Sequence, residues 1–526
     1  MLILCFVTWI RNAAAALVGS YGAVARQAQQ ADCSRQTVYQ HAHKVQQALV
    51  QAHQPCARCQ QLLDDNRQLR QQLQHCQRRL DRVIDLGPAR QGQLAVLLAA
   101  LGVSLNQMLR IFVFLLGTNR APGRSSLGRW VRQAEQQAGP ILRVLDEHSR
   151  PLARSLCPDE IFFHRQPVLV GVEPASLAVL LCQRTADRQG ETWAQALRPF
   201  VNLEDVCSDA GTGIAKGLRL FQEQRRARLR LASLAEPLPL DISLDVFHTE
   251  QEAQRVLGRL WRGVEKIWHR AEAASAQVEK DKRQWYDARG SAALARAAWT
   301  KAFAAMARYE RQEACWQRAK AALAVWRADG QLNDRRWAEA EIAAACGGLP
   351  GTLWQKVRNL LQDRRSLTFL DRLARLLSKV VPDELLRGAL VRLWSLEHRP
   401  VAGSDGGRLG GCVLQRLVCA RLSADWCVLY EAVGRVLRGV VRSSSVVECV
   451  NSVLRMHQGR HRSLSQGLLD LKRLYWNCRT FAGGRRRGRC PYELLGVLLP
   501  TYDFQELLQR SPEELAQELS TLNVAS

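Results

Sequence analysis

Three carboxylates and a histidine sit at the ends of runs that read as buried strands. Pro167-Val-Leu-Val-Gly-Val-Glu173 is a continuous apolar run, and Glu173 closes it. Leu203-Glu-Asp-Val-Cys-Ser-Asp209 is a second run ending in an acid. Leu240-Asp-Ile-Ser-Leu-Asp-Val-Phe-His248 is a third, with Asp245 and His248 at its tip. In open α/β sheets, sites assemble at the carboxyl ends of strands. Like charges gathered there repel unless cations neutralise them, so this set predicts a divalent-metal site.

A fourth carboxylate lies far along the chain, in Arg442-Ser-Ser-Ser-Val-Val-Glu-Cys-Val-Asn-Ser-Val-Leu-Arg455. The spacing predicts a helix whose narrow polar face carries Ser445, Glu448, Asn451, Ser452 and Arg455. The serines before it offer an N-cap. A lone carboxylate on a mostly apolar helix needs a partner, because an unpaired buried charge is costly. An arginine, a base or a metal ion would serve Glu448.

The elements that position these groups follow from the same patterning. Leu177 to Cys182 reads as another strand, Thr185 to Glu191 as a polar loop, and the stretch around Trp193 as a helix. Ala210-Gly-Thr-Gly-Ile-Ala-Lys-Gly217 opens a helix directly after Asp209. An α/β domain is therefore expected over 160–248 together with 440–500. Between its halves, 249–439 reads as an all-helical insertion, with recurrent tryptophans such as Trp261, Trp316, Trp354 and Trp394 taken as core. Residues 501–526 read as a tail.

The 526 residues carry 74 Lys and Arg against 49 acids, a formal net charge of +25. That excess, mostly arginine, predicts a polyanionic partner, with nucleic acid foremost. A 47% hydrophobic content excludes a disordered or fibrous chain. The sixteen cysteines are scattered inside apolar periods, as expected of small buried side chains in a reducing compartment. The close pair Cys56/Cys59, with His53 nearby, has no second pair at finger spacing. No membrane span is expected, since the apolar stretch Leu2 to Ile10 is too short. A cytoplasmic, nucleoid-associated protein is the expectation.

Upstream, 1–55 reads as a helix-turn-helix. Ser34 would cap the second helix, with Val38, Ala42 and Val45 inward and Arg35, Gln36, Gln40 and Lys44 outward toward a major groove. An ordinary helical hairpin has the same pattern. Over 56–86, Leu62, Asn66, Leu69, Leu73, Cys76, Leu80 and Val83 form a heptad seam. Either a coiled-coil homodimer or a helix packed on its own chain follows. Residues 87–150 read as a second helical DNA-binding unit, with Arg124, Arg129 and Arg132 as its basic residues; a plain helical pair has the same pattern. Near the C-terminus, Arg455, Arg460, Lys472 and the loop arginines Arg485, Arg486 and Arg487 are candidate phosphate contacts; a solvated charged loop is the plainer reading of the last three.

The order Val170-Gly-Val-Glu-Pro174, Cys207-Ser-Asp-Ala-Gly-Thr-Gly-Ile-Ala-Lys-Gly217, Leu244-Asp-Val-Phe-His-Thr249 and Ser444-Ser-Val-Val-Glu-Cys-Val-Asn-Ser452 resembles that of bacterial insertion-sequence transposases of the DDE class. Arg473 to Arg479 and Cys490 to Gly496 resemble the tail of that group. The resemblance implies a ribonuclease-H-like catalytic domain with a large all-α insertion. By position it makes Asp209 the second catalytic acid and Glu448 the last, and puts Glu173 where the family has Asp. Asp245 and His248 resemble the Cys/Asp-x-x-His element of Mutator-like relatives, with Asn451 as a further accessory group. Two Mg²⁺ or Mn²⁺ ions held by Glu173, Asp209 and Glu448 would serve phosphodiester hydrolysis and strand transfer. A transposase-derived DNA-binding protein, catalytically impaired by Glu173, is the alternative. A structure-specific nuclease of the same fold is a second one.

Overall fold

The computed structural model describes residues 2–53, 57–80, 86–231, 240–399, 405–458 and 464–524; Cys56, Val83, Arg460, His461 and Arg462 lie outside them. The chain forms two compact bodies, Met1–Arg90 and Gln91–Ser526. Among the described residues no helix is long and apolar enough to cross a membrane. The thirteen cysteines whose side chains are described are all unpaired.

The first body is helical, with α1 (Leu2–Leu17), α2 (Ala23–Gln30), α3 (Arg35–His53) and α4 (Ala57–Leu80). The Ser34 hydroxyl accepts the Thr37 N–H at 3.1 Å and so caps α3. Val38 and Ala42 are buried, while Arg35, Gln36, Gln40 and Lys44 are exposed, as the periodicity predicts. Buried Asn12 ties the three helices together: it accepts from Gln27 at 2.9 Å and meets His41 Nδ1 at 3.0 Å. On α4, Leu62, Leu69 and Leu73 stand exposed in a row.

The second body begins within α5 (Pro88–Ala100) and continues with α6 (Leu105–Leu116) and α7 (Arg124–Ser149). Ser104 and Gln107 form a capping box at the start of α6. A five-stranded mixed sheet follows: β1 (Ser155–Phe163), β2 (Gln166–Val172), β3 (Val179–Arg184), then α8 (Gly190–Leu197), β4 (Asp205–Ser208), α9 (Thr212–Leu231) and β5 (Asp241–Leu244). The spatial order is β3-β2-β1-β4-β5. The first three strands form an antiparallel meander, and β1, β4 and β5 run parallel. Helices α8 and α9 supply the crossovers that parallel neighbours require.

Strand β1 is absent from the sequence-based expectation, which begins the sheet at Phe162. Pro158, Asp159 and Glu160 interrupt its apolar alternation and imitate a loop. The third expected strand is also shorter, since Asp245 caps a helix that starts at Val246.

One face of the sheet packs on α8 and α9 through Leu156, Leu169, Trp193, Phe200, Val206 and Ile214. The other packs on α5 to α7 and on C-terminal helices through Cys157, Ile161, Val170 and Cys207. The helical insertion after β5 comprises α10 (Val246–Arg283), α11 (Arg289–Ala322), α12 (Arg335–Gly347), α13 (Gln355–Gln362), α14 (Thr368–Val380), α15 (Glu384–His398), α16 (Asp405–Leu422) and α17 (Trp426–Arg438). The chain then returns as α18 (Ser445–Gln458), α19 (Gln466–Cys478), α20 (Pro491–Leu495), α21 (Phe504–Gln509) and α22 (Pro512–Val524).

The insertion has apolar cores of its own, with Trp316 and Trp354 fully buried in one of them. In contrast, α5 to α7 and the tail helices α21 and α22 share one core with the sheet, so 87–150 and 501–526 are parts of the α/β body.

Candidate active site

Strand alternation decides which side chains can meet. Cys157 and Ile161 face the layer that contains α18, so Asp159 between them does too. Cys207 faces the same layer, and Asp209 two residues on extends beyond the strand end in that direction. Ser155 pairs with Asp205 and Leu156 with Val206, while Ser208 pairs with Leu244. Carried forward, this register brings Asp159, Asp209 and Asp245 level across three adjacent parallel strands.

Asp159 is the buried centre of the group. Its Oδ1 accepts the Glu160 N–H at 2.7 Å, and its Oδ2 accepts the Asn451 side-chain amide at 2.6 Å. Burial, reinforced by the negative charges of Glu448 and Asp209, pushes its carboxyl up to about 7. Asn451 is itself fully buried on α18, and its carbonyl Oδ1 has no hydrogen-bond partner.

Glu448, one turn before Asn451, is half-buried. It accepts from Arg455 at 3.2 Å, and its other oxygen lies 4.0 Å from His248 Nε2. His248 also lies 3.6 Å from Asp245 Oδ2. Asp245 caps α10 by accepting the Phe247 N–H at 2.7 Å, and the Ser444 hydroxyl donates to its other oxygen. Thus Ser444 joins the loop before α18 to the tip of β5 rather than capping α18 with its side chain.

Asp209 accepts the Gly211 N–H at 2.9 Å, which turns the chain into α9. A Cβ at Gly211 would stand 2.8 Å from Asp209 Oδ1, and one at Gly217 would stand 2.4 Å from Trp193 Cβ. The glycines after Asp209 therefore hold this carboxylate and allow α9 to lie close on α8.

Glu173 is not part of the group. It follows Val172, which pairs with Cys157, so it lies roughly 10 Å along the sheet from Asp159, at its opposite end. Its oxygens are taken by the turn it closes: Ala175 N–H at 3.1 Å, Ser176 N–H at 2.7 Å and Ser176 Oγ at 2.5 Å. The acid at the sheet centre is Asp159, missed because its strand was missed. The available signal was the alternation Cys157, Asp159, Ile161, Phe163, starting just before Pro158.

Lys472 also moves out of the binding set. It is buried on α19, donating to the carbonyls of Ala99 and Ala100 at 2.9 and 3.3 Å. Helix α19 instead satisfies the free edge of β3. Gln466 bonds Cys182 and Arg184, Arg473 bonds Val179 and Leu180, and Asn477 pairs with both backbone groups of Val179. Arg124 and Arg129 are exposed on α7, and Arg485 and Arg487 on the loop after α19. Arg486 donates to the Ala175 and Pro174 carbonyls at 2.9 and 3.2 Å. Arg455 pairs with Glu448, and Arg460 lies outside the described residues.

Asp159, Asp209 and Glu448 offer only hard oxygen donors, the kind Mg²⁺ and Mn²⁺ take. The Asp159 carboxyl is raised first by burial and then by Glu448 and Asp209, and a cation would offset both. Among the described residues, however, no three His, Cys, Asp or Glu side chains stand close enough to hold one ion. No family model, no curated protein and no solved structure matches this chain.

Proposed function

We propose that this protein is a DNA transposase of the DDE class, acting through Asp159, Asp209 and Glu448. The observation that carries the reading is Asp159, a buried carboxyl held near 7 by burial and by Glu448 and Asp209. Three acids from distant parts of the chain share one electrostatic environment: Asp159 in mid β1, Asp209 just past the end of β4, and Glu448 on α18. The mixed sheet, with a meander joined to parallel strands and a large helical insertion before α18, supports a ribonuclease-H-like domain. With Asp159 as first acid, the apparent departure from the family at Glu173 disappears, and with it the argument for an impaired copy.

Two Mg²⁺ or Mn²⁺ ions held by these residues would activate the attacking oxygen and stabilise the leaving oxygen of a phosphodiester. Asn451 keeps Asp159 oriented by donating to Oδ2. His248, between Asp245 and Glu448, would donate to a substrate phosphate. Arg455 restrains Glu448. The exposed face Arg35, Gln36, Gln40 and Lys44 would read double-stranded DNA at the element ends, and the α4 seam would pair two copies. A cytoplasmic, nucleoid-associated location accords with this reading.

The test is nicking of plasmid DNA carrying the sequences that flank the gene. Asp159→Asn, Asp209→Asn and Glu448→Gln should each abolish Mg²⁺-dependent nicking, and Glu173→Gln should retain it. An active Asp159→Asn protein beside an inactive Glu173→Gln protein would overturn the assignment.

A further inference from the structure

At the opposite end of β1 from Asp159 lies a cleft of about 700 Å³. Six arginines line it: Arg435, Arg438, Arg442, Arg485, Arg486 and Arg489. They come from the end of α17, the segment leading into α18, and the loop after α19. The single carboxylate on its wall, Glu173, is already occupied by the turn it closes.

Three of the arginines are held in place. Arg442 donates to the Leu323 carbonyl at 3.2 Å, Arg486 donates to the Pro174 and Ala175 carbonyls, and Arg438 lies 3.8 Å from Glu431. Arg435, Arg485 and Arg489 have no carboxylate partner among the described residues. Guanidinium groups facing one another across a concave wall repel, and an anion in the cleft relieves that cost. No aromatic side chain lines it, so it offers charge and planar donors without a surface on which bases could stack.

Its far lip includes Ser445 and Val446, one helical turn before Glu448, and Ser155, four residues before Asp159. These separations are roughly 5 and 13 Å, a few nucleotides of strand. We propose that this arginine cleft binds the phosphodiester backbone of a nucleic-acid strand, without regard to sequence, a few nucleotides from the bond at the carboxylates. The location of that bond rests on the function proposed above; the charge argument does not.

The experiment measures binding of a fluorescein-labelled 20-nucleotide single strand by anisotropy, in EDTA, with the full chain carrying Asp209→Asn. Kd is followed across a salt series, for this parent and for the same chain with Arg435→Ser, Arg485→Ser and Arg489→Ser. The slope of log K against log salt should fall in magnitude by about 2, since each lost phosphate contact on a single strand removes about 0.7. Arg289→Ser, Arg296→Ser and Arg308→Ser, exposed on α11, should leave the slope where the parent has it. Arg435→Lys, Arg485→Lys and Arg489→Lys together should keep most of the parent's slope, which separates charge from damage to the fold. An unchanged slope in the serine variant, or an equal fall in the α11 variant, would overturn the proposal. Because no cleavage is read, failure of the carboxylate assignment leaves this result standing, and the reverse also holds.

Discussion

Asp159 is the residue on which the site turns, and its ionisation makes a signed prediction. Its carboxyl is pushed up to about 7 in the folded chain, against an ordinary 3.8. Between those values the folded state holds a proton that the unfolded state has released, so stability falls as pH rises through this window. Asp159→Asn should therefore melt higher than the parent at pH 8 without metal, by roughly 1–3 kcal/mol, and equally at pH 4. Mg²⁺ or Mn²⁺ should stabilise the parent more at pH 8 than at pH 6, and Asp159→Asn much less at either. Parent and variant melting alike at pH 8 would show that the Asp159 charge is not strained. Glu173→Gln should instead lower stability by roughly 1–2 kcal/mol, because it weakens a buried, charge-assisted turn.

At the scale of elements, α19 and α4 make opposite predictions about residues that look alike in sequence. Lys472 and Asn477 lie on an amphipathic, basic stretch, yet both are buried and both serve backbone groups. Asn477→Leu should destabilise the fold by roughly 1–3 kcal/mol by leaving the buried Val179 N–H of β3 unpaired, while Arg473 still serves its carbonyl, with no change in the salt slope of DNA binding. A weaker slope with unaltered melting would mean that α19 contacts DNA after all. On α4, Leu69 and Leu73 are exposed in the single chain, so replacing both with Lys should change its mass in solution, not its folding. Light scattering should report a dimer for the parent and a monomer for the variant; a monomeric parent would end the coiled-coil reading.

For the molecule as a whole, the question is what locks the helical insertion to the sheet. Arg372 on α14 reaches Asp205 at 3.0 Å and Asp241 at 3.7 Å, and Arg375 pairs with Asp241. Despite Arg372, burial pushes the Asp205 carboxyl up to about 6. Arg372→Ala leaves that charge buried and unpaired, which costs roughly 3 kcal/mol at neutral pH. The loss should shrink at pH 5, where Asp205 takes a proton, and chemical denaturation at the two pH values would measure the difference. An equal loss at both would show that Arg372 acts through packing alone.

Much of this architecture was legible along the chain. Buried strands β2 and β4, the helix after Asp209, the α18 face with Glu448 and Asn451, and the Ser34 cap are all written in local periodicity. Local patterns cannot say which end of the sheet a residue occupies. Glu173 and Asp209 both close apolar runs, but β2 runs antiparallel to β4's neighbour β1, so their ends point in opposite directions. Nor can they separate a basic residue that meets solvent from one that caps a strand edge, since both lie on amphipathic helices. The amino-acid sequence by itself determined the elements and the excess of positive charge. Only tertiary structure decided which carboxylates share a site, because the register that levels Asp159 with Asp209 joins strands far apart in the chain, and α18 reaches Asp159 from 292 residues on.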